Sequence, residues 1–449
     1  MINTLLDVTA AILVVALFVS LYRFWLPRQR ETDHRTNMMA LFLLGLVVRI
    51  VALVAVEVWL RTSNGTPFLF GALGDDSRYH MAAADLAREW SLEGFRVPSV
   101  LYTRGFETAL GLVYWVMSPT VLVGKAFNVL VGALIAPAVY RLANDLEGPR
   151  VAWTAGLLCA LFPPLVFWST LLYKDTLLTF ALVSVLVSGL RFRESGFPSL
   201  PAVPLTIAAI GVVGALRLQS VLVVGTALAV LAIVRVQGQA RTGIVRTMAR
   251  LILPLAAVAL VAWIFSSRQF AIGGPGVWQY LGLERINVFY EVRSAAFETS
   301  STQVENTFLS VPIQLVATFF LPLPLFLNVG SEWAGSEEVM LGSDFVWLWL
   351  LFHAMVAIAS GRKREFVVWL PVLIVIAGTA VGIATRGYAM IYRHKVQMYP
   401  FVIMLAASAL VRTADRTWPR RPHAALLYWG GMGVLIVIYN YLRVSLVSR

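Results

Sequence analysis

Residues 38–60 read MMALFLLGLVVRIVALVAVEVWL, a predominantly apolar run that is followed by a polar stretch. A helix needs about 20 such residues to cross the hydrocarbon core of a bilayer. Comparable runs recur along the chain, and they do not alternate apolar and polar residues as the strands of a transmembrane β-barrel would. The sequence therefore predicts an all-α, polytopic integral membrane protein with about twelve transmembrane helices (11–13).

The composition agrees with this class. Of the 449 residues, 59% are hydrophobic and only 13% are charged, against about 25% charged in an average soluble chain. The net charge of +12 comes from arginines clustered between apolar runs, which indicates cytoplasmic loops rather than a nucleic-acid partner. Cys159 is the single cysteine, so an intramolecular disulfide is excluded, and its apolar surroundings favour a core residue.

The predicted organisation is one membrane domain over residues 1–449. Residues 1–37 hold an additional N-terminal helix and a cytoplasmic loop, and residues 38–235 form a core that includes a first outer loop at 61–104. A second outer region covers 266–343, and C-terminal helices fill 344–449. The predicted spans are Thr4–Trp25, Met38–Leu60, Val121–Tyr140, Val151–Leu172, Thr176–Leu190, Pro201–Leu216, Ser220–Val234, Leu251–Phe265, Phe345–Ala359, Phe366–Thr385, Met398–Val411 and Ala424–Leu442.

Loop charges predict the sidedness of these spans. The loop after the first helix is basic and therefore cytoplasmic, whereas loop 61–104 mixes acids and bases and therefore faces outward. Within and beyond that outer loop, Tyr79–Trp90 and Phe106–Met117 are predicted to be interfacial helices. Leu309–Val329 contains three prolines, and the charge rule favours a re-entrant or interfacial element there.

Ionisable residues gather on the predicted outer face, where they are costly beside hydrocarbon and so point to function. Carboxylates beside several cations suit a reaction between an anionic lipid phosphate and a hydroxyl acceptor: the cations bind the phosphate, and a carboxylate takes the acceptor proton. Arginine matches phosphate with its fork of donors, and lysine acts as a point charge. These residues are Asp75, Asp76, Arg78, His80, Arg104, Lys174, Asp175, Arg217, Arg386, Tyr388, Arg393, His394 and Lys395.

Simpler interpretations of the same residues stay open at this point. Asp75 or Asp76 is a good N-cap for the helix that begins near Ser77, and Asp175 can cap the next span. The five histidines lack the spacing of zinc ligands. A divalent metal, Mg²⁺ or Mn²⁺, bound by Asp75 and Asp76 is compatible with the sequence.

The pattern over residues 38–411 resembles the polytopic C-type glycosyltransferases, such as the protein O-mannosyltransferases and the aminoarabinose transferase of lipid A. Those enzymes carry an acidic motif in the first large outer loop, a basic residue that closes the loop, an acid after a proline-containing span and a late basic stretch that ends in proline. The matching stretches are Asp75-Asp76-Ser77-Arg78-Tyr79-His80-Met81-Ala82, Tyr102-Thr103-Arg104-Gly105, Phe162-Pro163-Pro164 with Leu172-Tyr173-Lys174-Asp175, and Tyr392-Arg393-His394 with Tyr399-Pro400. The chain departs from the family in its additional N-terminal helix and in lacking a large C-terminal outer domain.

The resemblance implies an inverting transfer of a sugar from a polyprenyl-phosphate carrier to a lipid, glycan or protein hydroxyl. It places the enzyme in a bacterial inner membrane, with its active site on the extracytoplasmic face. Asp75 or Asp76 would be the general base, its neighbour would orient the acceptor or a metal, and Asp175 is the second candidate base. Expected substrate-binding residues are Arg78, His80, Arg104, Lys174, Arg217, Arg386, Tyr388, Arg393, His394 and Lys395.

Two other classes of function remain as alternatives. A transporter or flippase of lipid-linked sugars would show paired broken helices and ionisable residues near the bilayer midplane. A polysaccharide polymerase or ligase would concentrate arginines in a late, large outer loop, and the second outer region is only modestly basic. The ionisable residues gather at one face instead, which favours the glycosyltransferase.

Overall fold

The fold comes from a computed structural model that describes residues 32–63, 65–69, 71, 74–95, 101–194, 202–217, 219–233, 315, 318–319, 334–361, 363–384, 391–414, 428 and 430–431. These residues form helices and no strand, which confirms the all-α prediction for this part of the chain. The helices are α1 Thr32–Ser63, α2 Asp75–Glu93, α3 Leu101–Val116, α4 Val121–Glu147, α5 Pro149–Leu161, α6 Pro163–Ser169, α7 Lys174–Glu194, α8 Ala202–Leu216, α9 Gln219–Ile233, α10 Ala334–Ser360, α11 Lys363–Ala384, α12 Ile391–His394 and α13 Tyr399–Ala414, with a short 3-10 turn at Lys395–Gln397.

Three of the described helices are long and apolar enough to cross a membrane: Asp33–Ser63, Val121–Glu147 and Glu365–Gly382. A bent pair, α5 with α6, makes a fourth if it counts as one span. One side of α1 exposes large apolar residues at helical spacing, which suits contact with lipid tails. This exposed stripe consists of Leu43, Val47, Val51, Val54 and Val58. The length and apolar composition of these helices, together with the exposed stripe, are typical of an integral membrane protein. The total of about twelve spans stays a prediction.

Helix α4 forms the centre of the bundle. It packs against α1 on one side and against α5 and α7 on others, so nearly every side chain from Val123 to Ala143 is buried. Small residues permit the close approach. At Gly132, for example, a Cβ atom would lie 2.5 Å from the Cβ of Ser169. The Thr120 hydroxyl accepts the Val123 N–H and caps the helix.

The predicted span Val151–Leu172 is broken at Phe162, where α5 and α6 meet at 51°. Pro163 begins α6 and has no N–H, so carbonyl groups at the end of α5 lack their usual helical donors. Arg49 supplies donors from α1, with Nη1 at 3.1 Å from the Ala160 oxygen and Nη2 at 3.4 Å from the Cys159 oxygen. A buried arginine thereby stabilises the broken span from a neighbouring helix.

The two predicted interfacial helices are longer than expected. Tyr79–Trp90 lies inside α2, which begins at Asp75, and Phe106–Met117 corresponds to α3, which begins at Leu101. The first turn of α2 is polar, and Arg104 and Gly105 interrupt the apolar pattern of α3, so apolar periodicity alone did not show the full length of either helix. The two helices pack on each other.

Several predicted elements lie outside the described residues. These are Thr4–Trp25, Leu251–Phe265 and almost all of Leu309–Val329 and Ala424–Leu442, together with most of the second outer region at 266–343.

Candidate active site

The residues at the centre of the candidate site come from four parts of the chain. Four segments meet at one place: the first turn of α2, the first turn of α7, the turn between α8 and α9, and the segment 391–397. We call the set that meets there the charge cluster; its members are Asp75, Asp175, Arg217, Arg393, His394 and Gln397. Five of these six residues are among the site residues expected from the sequence.

Arg393 joins the two carboxylates of the cluster. Its Nε lies 2.5 Å from Asp175 Oδ2, and its Nη1 lies 2.6 Å from Asp75 Oδ2. The guanidinium group also stacks over the Tyr173 ring at 4.1 Å, and Nη2 reaches the Tyr79 hydroxyl at 3.4 Å. The planar fork of an arginine side chain can serve two acceptors at once, which a lysine could not do with the same geometry.

Asp175 is held as a buried anion. Burial alone would raise the pKa of this carboxyl, but the Arg393 and Arg217 cations and the hydrogen-bonded His394 hold the pKa well below its usual range. Oδ1 also accepts a hydrogen bond of 2.8 Å from the Gln397 amide. With its lone pairs occupied and its charge stabilised, this carboxylate is a weak proton acceptor and is better suited to positioning Arg393.

Arg217 and His394 pack together behind Asp175. Arg217 Nη2 lies 2.9 Å from His394 Nδ1 and 3.7 Å from Asp175 Oδ1, and Nη1 donates to Gln397 Oε1 at 3.1 Å. Burial and the nearby Arg217 lower the pKa of His394 to about 3, although Asp175 acts in the opposite direction. The imidazole is therefore neutral around pH 7.

Asp75 and Asp76 have different surroundings. Asp76 is 1% exposed, and its two oxygens accept the Leu69 N–H at 2.7 Å and the Ser77 N–H at 3.0 Å. Burial raises its pKa, and these hydrogen bonds oppose the shift. Asp75 keeps 26% of its side chain exposed while pairing with Arg78 and the cluster arginine. Asp76 thus anchors the loop before α2, and Asp75 is the accessible carboxylate.

The N-terminus of α2 shows whether Asp75 or Asp76 caps this helix. Gly74 is the N-cap residue, and Asp75 and Asp76 lie in the first turn, where a negative charge interacts favourably with the helix dipole. Neither aspartate therefore serves as the N-cap itself.

Other expected site residues lie outside the cluster. His80 Nδ1 lies 2.8 Å from the Tyr114 hydroxyl, and burial lowers the pKa of this histidine. Lys395 is fully buried and its ammonium lies 5.1 Å from the centre of the Trp347 ring. Burial lowers the pKa of Lys395 to about 7, partly offset by Asp344. Arg386 and Tyr388 lie outside the described residues.

Three further cations, which all interact electrostatically with Glu107, form what we call the rim: Arg78, Arg104 and Lys174. Arg78 and Arg104 are exposed and Lys174 is half-buried. Arg104 has non-helical backbone angles (φ −116°, ψ 17°) and marks a kink near the start of α3. The two arginines of the cluster match its two carboxylates in number, and the three rim cations add positive charge beside them, with Arg78 also pairing with Asp75 at 2.7 Å.

Sequence reasoning missed Glu107, Gln397, Tyr79 and Tyr173 as site residues. Glu107 is 8% exposed and interacts electrostatically with all three rim cations. Burial raises its pKa, and these cations oppose the shift. In the sequence, Glu107 is the single acidic residue of a largely apolar helix, whereas the two tyrosines and the glutamine carry no comparable signal.

The donor set does not fit a divalent metal ion held by Asp75 and Asp76. Both oxygens of Asp76 accept backbone N–H groups, and Asp75 is bound by two guanidinium groups. Among the described residues, no group of three or more histidine, cysteine, aspartate or glutamate side chains is placed to hold a metal. We therefore derive no step through a metal.

Comparisons with known proteins are distant. No family model and no curated protein matches the sequence. Among solved structures, the chain is similar to the archaeal oligosaccharyltransferase AglB from Archaeoglobus fulgidus in complex with an inhibitory peptide and a dolichol-phosphate. The two share 14% sequence identity with a TM-score of 0.46, and the match covers 91% of this chain and 55% of that chain. The apo form of the Archaeoglobus fulgidus oligosaccharyltransferase gives 14% identity, a TM-score of 0.47, and coverage of 92% and 55%. The chain thus spans about half the length of these structures, and a likeness this distant carries no conclusion about activity.

Proposed function

We propose that this chain is a C-type membrane glycosyltransferase that moves a sugar from a polyprenyl-phosphate donor to a hydroxyl acceptor, with inversion. The reaction takes place at the outer face of a bacterial plasma membrane. One observation carries the proposal: Asp75 is a partly exposed carboxylate held by Arg393 at the edge of a buried, charge-balanced cluster. Such a group beside the cations of the rim suits proton removal next to a phosphate leaving group.

In the proposed step, Asp75 accepts the proton of the acceptor hydroxyl. The acceptor oxygen forms a bond to the anomeric carbon of the sugar from the face opposite the phosphate. The bond between that carbon and the phosphate oxygen breaks, and polyprenyl phosphate leaves with the electron pair. Asp75 then releases the proton to the departing phosphate or to water, so the acceptor has exchanged its hydroxyl proton for the glycosyl group and no other reactant is needed.

The cations divide into two roles. Arg78, Arg104 and Lys174 form the rim, where the phosphate of the donor binds and where charge that develops on the leaving oxygen is stabilised. Arg393 holds Asp75 in place, and Asp175 in turn holds Arg393 through the 2.5 Å contact. Asp175 and Asp76 are thus positioning residues, and Asp75 is the catalytic residue.

The test is sugar transfer in membranes that contain the protein and radiolabelled polyprenyl-phosphate sugars. Asp75→Asn is expected to lower transfer by about a hundredfold or more, the usual contribution of a general base, while donor binding persists. Asp85→Asn is the matched control because Asp85 lies exposed on the same helix and pairs with Arg88 on the surface. If no donor is consumed and all aspartate variants behave alike, the enzyme proposal is wrong and the transporter alternative takes its place.

A further inference from the structure

Glu107 has an unsatisfied oxygen at the edge of the candidate site. The residue is 8% exposed, and its buried Oε2 accepts no hydrogen bond from any residue in the described part of the chain. Buried polar atoms nearly always have a partner in folded proteins, because leaving one unpaired costs the desolvation free energy of that group. An oxygen in this condition beside a candidate active site points to a ligand that donates a hydrogen bond.

The backbone around Glu107 is fixed against the charge cluster. The preceding residue, Phe106, packs edge-on against the Tyr79 ring with 5.2 Å between ring centres, and Tyr79 itself reaches the cluster arginine. One residue earlier, a Cβ atom on Gly105 would lie 2.3 Å from the Ala215 oxygen, so α3 and α8 touch through their backbones there. Glu107 is therefore held at a defined place beside the cluster.

The charges around Glu107 limit what the ligand can be. A carboxylate repels phosphate, so the partner of Oε2 is a hydrogen-bond donor: a hydroxyl, an amide N–H or an ammonium group. The rim cations Lys174, Arg104 and Arg78 all act on Glu107, and they would repel an ammonium ligand. A neutral donor satisfies both conditions, and the acceptor of the proposed reaction supplies such donors as hydroxyl groups.

We propose that Glu107 binds a second hydroxyl of a neutral, polyhydroxylated acceptor, such as a glycan, and so orients the hydroxyl that attacks the donor. This rests on the proposed function, since it names the class of acceptor for that reaction. Glu107 is then an acceptor-binding residue, whereas Asp75 takes the proton.

The experiment compares two fates of a radiolabelled polyprenyl-phosphate sugar in membranes that contain the acceptor: transfer to that acceptor and release of free sugar by water. Water needs no orientation by Glu107, so Glu107→Gln is expected to lower the ratio of transfer to hydrolysis by about tenfold or more, as the loss of a hydrogen bond to a charged group predicts. Hydrolysis itself should stay within about twofold of wild type under this account. Asp75→Asn should lower both, and Glu89→Gln, at an exposed position on α2, should change neither.

Each remaining outcome decides the question. An unchanged ratio in Glu107→Gln overturns the inference while leaving the glycosyltransferase proposal in place. A parallel loss of transfer and hydrolysis with easier unfolding makes Glu107 an internal counterion and also overturns it. If the wild-type protein neither transfers nor hydrolyses any donor, the proposed function fails and the inference fails with it.

Discussion

Replacing Asp175 by Asn tests whether the charge cluster stabilises the fold. Asp175 is 1% exposed and lies within 2.5 Å of Arg393. Among the described residues, the substitution therefore leaves this buried guanidinium with the partly exposed Asp75 as its countercharge. Removing one partner of a buried ion pair typically costs about 3–5 kcal/mol. The surface variant Asp85→Asn, whose carboxylate is 71% exposed, should cost less than about 0.5 kcal/mol.

The free energy of unfolding can be followed through the single cysteine. Cys159 is buried, so a fluorogenic maleimide reports its exposure during titration of the detergent-solubilised protein with sodium dodecyl sulfate. Arg393→Gln and the double variant complete a double-mutant cycle, in which direct contact predicts a coupling energy of at least about 0.5 kcal/mol. Strict additivity, or an Asp175→Asn variant as stable as wild type, would refute the role assigned to this pair.

The pH dependence of the same variant has a defined sign. The pKa of Asp175 is held well below its usual range, because the nearby cations outweigh the effect of burial. The carboxylate therefore stabilises the fold fully above the unfolded-state pKa of about 3.9 and stops doing so only as the pH falls below that value. The stability difference between wild type and Asp175→Asn should stay constant from about pH 8 to about pH 5.

Three further predictions use the same unfolding measurement. Burial and Arg217 lower the pKa of His394 to about 3. Below about pH 6.5 the unfolded chain therefore binds more protons than the folded protein does. Between pH 7 and pH 5, the free energy of unfolding of wild type should fall by about 2 kcal/mol more than that of His394→Gln. Gly132→Ala would place a Cβ atom 2.9 Å from Arg49 Nε and should destabilise the protein by about 1–3 kcal/mol. Gly211→Ala, whose Cβ atom would meet nothing within 4 Å, should stabilise the protein slightly. Lys125→Met removes the buried ammonium that binds Glu57 at 2.6 Å and should destabilise the protein. Adding Glu57→Gln should recover part of the lost stability, and no recovery would contradict the pairing.

The sequence alone was sufficient for the class of protein and for the choice of candidate residues. Long apolar runs predict membrane helices because a bilayer requires about 20 apolar residues per span. Charged residues in such a chain are few, so Asp75, Asp175, Arg217 and Arg393 were conspicuous without any structure. Their cost in an apolar surrounding is a local property that can be read from the residue type and its neighbours.

The tertiary structure decided which of these residues meet and what each can do. Arg393 lies 318 residues from Asp75 and 218 from Asp175 along the chain, and no local pattern could pair them. The different surroundings of Asp75 and Asp76 depend on the loop that folds back to place the Leu69 N–H against Asp76. Glu107 became visible as a candidate only once its burial and its unpartnered oxygen were known. The types of residue and their spacing are properties of the chain. The burial of side chains, their ion pairs and the resulting pKa values arise from packing between segments that are distant in sequence.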